Sequence, residues 1–164
     1  MKMTLPRSFW AVAVIATILG VGALLRALQF GSVPIVSATE IPESALILPA
    51  KLNVELQKGT GEAPLVLQVG SRVMFEQGHI PGAEFMGPAA QPEGIELLRN
   101  RVASLPRGKH IVLYCGYCPW NRCPNMGTAY RFLIGMGYKN VKALYLPNNF
   151  GEDWVVKGYR VEKQ

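Results

Sequence analysis

All three cysteines of the chain fall within nine residues, in the run Ile111-Val112-Leu113-Tyr114-Cys115-Gly116-Tyr117-Cys118-Pro119-Trp120-Asn121-Arg122-Cys123-Pro124-Asn125. The apolar, β-favouring start of that run delivers Cys115 to the end of a strand. A tight loop carrying Cys118 and Cys123 follows. Pro124 then suits the first position of a helix, where its missing N–H would have had no intrahelical partner anyway. The chain must therefore adopt a fold in which strand tips meet helix N-termini. Three thiols at such a junction point to sulfur or metal chemistry and are poorly explained as core packing.

The rest of the C-terminal two-thirds repeats the same alternation. Leu65-Val66-Leu67-Gln68-Val69, bounded by Pro64 and Gly70, suits a strand buried on both faces. Residues 73–77 suit a helical turn, and a short strand is expected around Glu84-Phe85-Met86. Ile95, Leu98, Val102 and Leu105 stand at helical spacing before Pro106 and Gly108. Strands are predicted over 110–114 and 141–146, a helix from Pro124 to about Met136 stopped by Gly137, and a short helix over 150–158. Trp154, Tyr130 and Phe132 are expected in the core. Strands alternating with helices predict an α/β domain with a small parallel sheet.

The N-terminal part differs in composition. Residues 9–25 are uncharged and rich in Ala, Val, Ile and Leu, with Lys2 and Arg7 before them and Arg26 after. Continued through Phe30, the stretch reaches the ~20 residues that cross a bilayer as a helix. Residues 1–30 are thus predicted to be a single transmembrane helix, or a signal sequence cleaved near Val36-Ser37-Ala38. The preceding positive charges favour a cytoplasmic N-terminus, and so a single-pass inner-membrane protein with its soluble domain in the periplasm; secretion after cleavage is the alternative. Trp10 stands near the membrane boundary. Residues 31–62, punctuated by Pro34, Pro42, Pro49 and Gly59-Thr60-Gly61, read as a linker in which 44–56 form a short helix or strand. Residues 63–164 form the domain. The net charge of +6 is carried without a Lys/Arg run of five, so no nucleic-acid stripe is present. A basic surface of this kind attracts small anions.

Two separated motifs now combine. Gly78-His79-Ile80-Pro81-Gly82-Ala83 resembles the turn before the second strand of rhodanese-like domains. The spacing onward, through a helix, the strand ending in Cys115, a loop, a second helix, Gly137-Tyr138, a strand and Trp154 with Gly158-Tyr159, is similar to that family from about residue 63 to 162. The resemblance implies a sulfurtransferase fold in which Cys115 accepts sulfane sulfur as a persulfide and loop N–H groups cradle it. It implies no cofactor. The expected partners are a small sulfur anion, or a protein persulfide or thiol. Two departures stand out. The family's Asp-x-Arg after the first strand is replaced by Gln68-Val69-Gly70, and the loop is longer and holds two extra cysteines.

The loop chemistry follows from its residues. A thiol attacks as its thiolate, which a helix N-terminus and a nearby cation stabilise. Cys115 is therefore the expected nucleophile, with Arg122 supplying the charge. Gly116, Tyr117, Trp120, Asn121 and Arg122 are expected to bind the substrate, Tyr117 and Trp120 walling the pocket. Cys118 makes Cys-Gly-Tyr-Cys, a spacing suited to disulfide exchange. Cys123, at the cap before Pro124, is a third reactive candidate. A zinc site would need a fourth ligand, His79 or His110, and no second Cys pair completes one; no metal site is assigned. The loop lacks an acid for phosphatase chemistry. His79 is read as a structural residue near the site, orienting its turn. Sulfur transfer leads, with thiol–disulfide exchange and a non-catalytic metal-binding or docking module as alternatives.

Overall fold

The computed structural model describes residues 34–58 and 63–164. The chain divides into two units, 1–32 and 33–164. The transmembrane helix predicted over 1–30 lies outside the described residues, and among those described no helix is long and apolar enough to cross a membrane.

The second unit is built on five parallel strands: β1 (Leu46–Ile47), β2 (Leu65–Gln68), β3 (Glu84–Phe85), β4 (Ile111–Tyr114) and β5 (Val141–Leu144). Their spatial order is β1-β5-β4-β2-β3. Four helices connect them: α1 (Pro49–Gln57), α2 (Arg72–Gln77), α3 (Pro92–Val102) and α4 (Pro124–Gly135). Proline opens α1, α3 and α4 at a position that needs no N–H. Gly137, at φ +88°, ends α4 in the left-handed conformation that glycine adopts without cost, and Tyr138 N–H closes onto Leu133 C=O at 3.1 Å. The turn after the last strand is a π-type turn, Gly151–Val155, which buries Trp154 completely.

Strand β4 sits in the middle, and side-chain alternation along it builds both faces of the core. Ile111, Leu113 and Cys115 point to the layer shared with Leu98 and Val102 of α3 and with Met126, Ala129 and Leu133 of α4. Val112 and Tyr114 point the other way, toward Leu52 of α1, Ile80 and Trp154. Cys115 therefore belongs by strand period to the face that α4 covers.

The helix predicted from Ile95 starts three residues earlier. Counting from the first apolar residue missed the turn from Pro92, whose Gly94 packs so tightly on the 88–89 backbone that a Cβ there would stand 2.2 Å from Pro88 C=O.

The linker expected over 31–62 is a packed part of the domain wherever it is described. Val36 N–H donates to Thr128 Oγ1 of α4 (2.8 Å), Glu40 pairs with Arg131, and β1 forms an edge of the sheet against β5. Gly127 of α4 makes room for this segment, since a Cβ there would meet Ser37 C=O at 2.1 Å. A two-residue strand between prolines carries too little periodicity to be read; the sheet edge already formed by β5 supplies its pairing.

Candidate active site

β2 leads rightward in the sheet to β3, whereas β4 leads the other way to β5. The crevice between the carboxyl ends of β2 and β4 is therefore the topological switch point, where ligands bind in open parallel sheets. Cys115 follows β4 at that point, and Gln68 ends β2 beside it.

Cys115 leaves the strand into Gly116, which holds φ +75° and reverses the chain; its C=O accepts from Phe150 N–H at 3.0 Å. The loop then passes Cys118, makes a 3₁₀ turn at Trp120–Arg122 and reaches Cys123 at the cap of α4. The three sulfurs converge, all lying within 4.8 Å of one another. Cys115 and Cys118 are 4.0 Å apart. Cys115 (3% exposed) and Cys123 (2%) are buried, and Cys118, half-buried, is the member on the solvent side. None of the three is in a disulfide.

The Cys115 thiol is pulled down to about 3, because Cys118 and then Cys123 donate to its sulfur; the Asn125 amide (Nδ2 to Sγ 3.5 Å) and the Tyr117 N–H add to this against the cost of burial. The same thiolate pushes Cys118 and Cys123 up, as its hydrogen-bond partners and near neighbours. The three thiols titrate as one coupled set, and the donors around Cys115 favour the charge on the sulfur at the strand tip. Cys123 closes no capping hydrogen bond on α4, although the Met126 N–H favours its ionised form.

Arg122, expected to supply the stabilising charge, is not among the groups that lower the Cys115 thiol. Arg122 and Asn121 are exposed on the 3₁₀ turn, and the donors acting on Cys115 are thiols and amides. Tyr117 is 62% exposed. Trp120 packs edge-on against Tyr145 at 5.2 Å between ring centres, and its backbone N–H donates to Pro147 C=O, so it props the loop. His79 is buried in its turn, stacked on Phe75 at 4.0 Å with Nδ1 2.8 Å from Phe75 C=O, while its backbone pairs with that of Glu162.

Three further residues shape the site. Asn125 donates to Cys115 through Nδ2 and accepts from Ala90 N–H through Oδ1 (2.9 Å), tying the loop before α3 to the thiol. Its signal in the sequence is a polar residue in the first turn of a helix whose following residues are apolar or small. Gln68, 2% exposed, donates to Cys115 C=O (3.2 Å) and Ser71 C=O (3.3 Å) and accepts from Gly70 N–H (3.2 Å). A neutral amide thus braces the strand tips at the place where the resembled family has a charged pair. Gly70 completes the exchange: a Cβ there would stand 2.7 Å from Cys115 C=O and 3.1 Å from its sulfur.

A family model described as rhodanese-like domain matches residues 51–145. Among solved structures, the chain is similar to the Alr3790 protein from Anabaena sp. (24% identity, TM-score 0.56, covering 72% of this chain and 82% of that one). It is also similar to the BH2092 protein from Bacillus halodurans (22%, 0.57, 73% and 77%) and to a full-length protein from Lactobacillus plantarum (24%, 0.52, 74% and 89%). At these identities the similarity establishes the fold. No curated protein matches the chain.

Proposed function

We propose a function for this chain, which belongs to the rhodanese-like domain family: it takes sulfane sulfur onto Cys115 and hands it to a thiophilic acceptor. The observation that carries this reading is the Cys115 sulfur at the tip of β4, set at the switch point of the sheet with Asn125 Nδ2 at 3.5 Å and Cys118 Sγ at 4.0 Å, surroundings that favour its thiolate. The Cys115 thiolate attacks the outer sulfur of a donor such as thiosulfate. The S–S bond of the donor breaks, sulfite leaves with the electron pair, and Cys115 carries a persulfide. An acceptor thiolate then attacks the terminal sulfur, and Cys115 leaves again as a thiolate. In this reading the Asn125 amide and the Tyr117 N–H, which stabilise the first anion, also hold the second. We further propose that residues 1–30 anchor the domain to the inner membrane, with the domain on the periplasmic side.

The test is mass spectrometry of the reduced protein after thiosulfate or polysulfide. A gain of one sulfur atom mapped to the Cys115 peptide is expected, and it disappears in Cys115→Ser. A C115S protein that gains sulfur as fast as the parent overturns the assignment.

The 4.0 Å between Cys115 and Cys118 favours thiol–disulfide exchange as a second reading. Cys115 would attack a partner's disulfide, and Cys118 would then displace the partner as a thiolate, leaving a Cys115–Cys118 disulfide and a reduced partner. Cys118 is held protonated chiefly by its hydrogen bond to the Cys115 thiolate. Once Cys115 is consumed in a mixed disulfide that restraint is gone, and Cys118 becomes the better nucleophile. Accumulation of the Cys115–Cys118 bridge under a disulfide oxidant, with no persulfide from sulfur donors, decides for this reading.

A further inference from the structure

We propose that Cys115, Cys118 and Cys123 form a three-coordinate site for a soft monovalent cation, copper(I), that competes with sulfane sulfur for the same thiols. Three sulfurs bonded at about 2.3 Å to an ion in their plane stand about 4 Å from one another. The cluster comes close to that requirement before any ion arrives: Cys115 and Cys118 already stand at 4.0 Å, and all three sulfurs lie inside 4.8 Å. Closing the widest separation, within 4.8 Å, onto an ion takes a movement of less than about 1 Å.

The ligand count selects the ion. Structural zinc takes four ligands, almost always in a tetrahedron. Both candidate fourth ligands stand elsewhere. His79 is stacked on Phe75 with its Nδ1 at Phe75 C=O. His110 lies before β4, five residues from Cys115, a separation of about 16 Å along an extended strand. Among the described residues the cluster of ligating side chains is the three cysteines alone. An all-thiolate trigonal set suits copper(I), because soft sulfur ligands favour a soft ion that does not demand a fourth donor.

The surroundings fit a thiolate-bound cation. Ligands of a metal are oriented by hydrogen bonds from an outer shell. Here Asn125 Nδ2 donates to Cys115, and Asn125 is itself fixed by Ala90 N–H. Cys123 stands at the N-terminus of the twelve-residue helix α4, whose dipole favours the negative charge of the assembled site. Two of the three sulfurs are buried, which shields the ion from water, and the half-buried Cys118 leaves a route for delivery and removal. Because the ion takes the electron pairs of the same sulfurs, a loaded site cannot form the Cys115 persulfide.

The test uses the full chain, reduced and free of oxygen in mild detergent, titrated with copper(I) against the chromophoric chelator bathocuproine disulfonate. One ion per chain is expected, with X-ray absorption showing three sulfur neighbours at about 2.3 Å. Cys118→Ser, altering the half-buried position, is expected to lower affinity at least tenfold and leave two sulfur neighbours. Cys123→Ser is the second variant. Absence of binding, nitrogen or oxygen neighbours in the parent, or unchanged affinity in C118S overturns the site; tighter binding of zinc than copper(I) overturns the choice of ion. Sulfur loading of the metal-free protein is measured beside these. Persulfide without copper binding refutes this site alone, and copper binding without persulfide refutes sulfur transfer alone. Persulfide formed equally fast on the copper-loaded protein refutes the competition.

Discussion

At the scale of single residues, the chemistry turns on which sulfur carries the charge. Cys115 is pulled down to about 3 by donors from Cys118 and Cys123, then by Asn125. A lowered thiol stays ionised as the pH falls, until the pH nears that value. Alkylation of Cys115 by iodoacetamide is therefore expected to be nearly flat between about pH 5 and 8, where a free cysteine, with its pKa of about 8.5, loses close to tenfold per pH unit. Peptide mapping of the alkylated protein across that range checks it; a tenfold loss per unit at Cys115 refutes it. Asn125→Ala removes one donor to the charged sulfur, an interaction worth about 1.5–3 kcal/mol, and should move the Cys115 midpoint up by about one pH unit or more. Thiolate absorbance against pH in the two proteins measures the difference.

At the scale of elements, two close approaches hold the site helix and the strand tips in place. α4 accepts the N-terminal segment only because residue 127 is glycine. Gly127→Ala would drive a Cβ into Ser37 C=O. Overpacking of this kind costs about 1–3 kcal/mol, or roughly 3–10 °C in Tm for a domain of this size. Calorimetry, with limited proteolysis over residues 34–45, reads both the loss and the release of the segment. The tips of β2 and β4 depend on Gln68 and Gly70. Gln68→Ala leaves the buried Cys115 C=O without its side-chain donor, at a cost of about 1–3 kcal/mol. Denaturant unfolding should register that loss, whereas a substitution at the exposed Val156 should leave the midpoint unchanged.

At the scale of the molecule, the domain reaches from residue 33 to the end of the chain, with β1 and α1 inside it. The anchor proposed for residues 1–30 predicts that the full chain stays with membranes through an alkaline carbonate wash and that a protease added from the periplasmic side digests the domain. Recovery of a soluble product starting near Ala38 would show cleavage instead. Cleavage there would also remove Val36, whose N–H is bonded to Thr128 of α4, so such a product should melt below the uncut chain.

The alternation of apolar runs and turn residues, Pro124 at the start of α4 and the turn around His79 were enough to determine an α/β domain with a cysteine at a strand tip. Those signals are local: strand period, helix period and backbone chemistry are written within a few residues. What the tertiary structure decided was everything that depends on contacts between distant segments. It placed a two-residue strand at a sheet edge, set the neutral amide of Gln68 against Cys115 C=O, and turned Arg122 to solvent while Asn125 faces the sulfur. It also drew three cysteines together, because the loop returns from β4 onto the N-terminus of α4. Spacing along a loop does not fix distances across it; the strand and the helix that hold its two ends do.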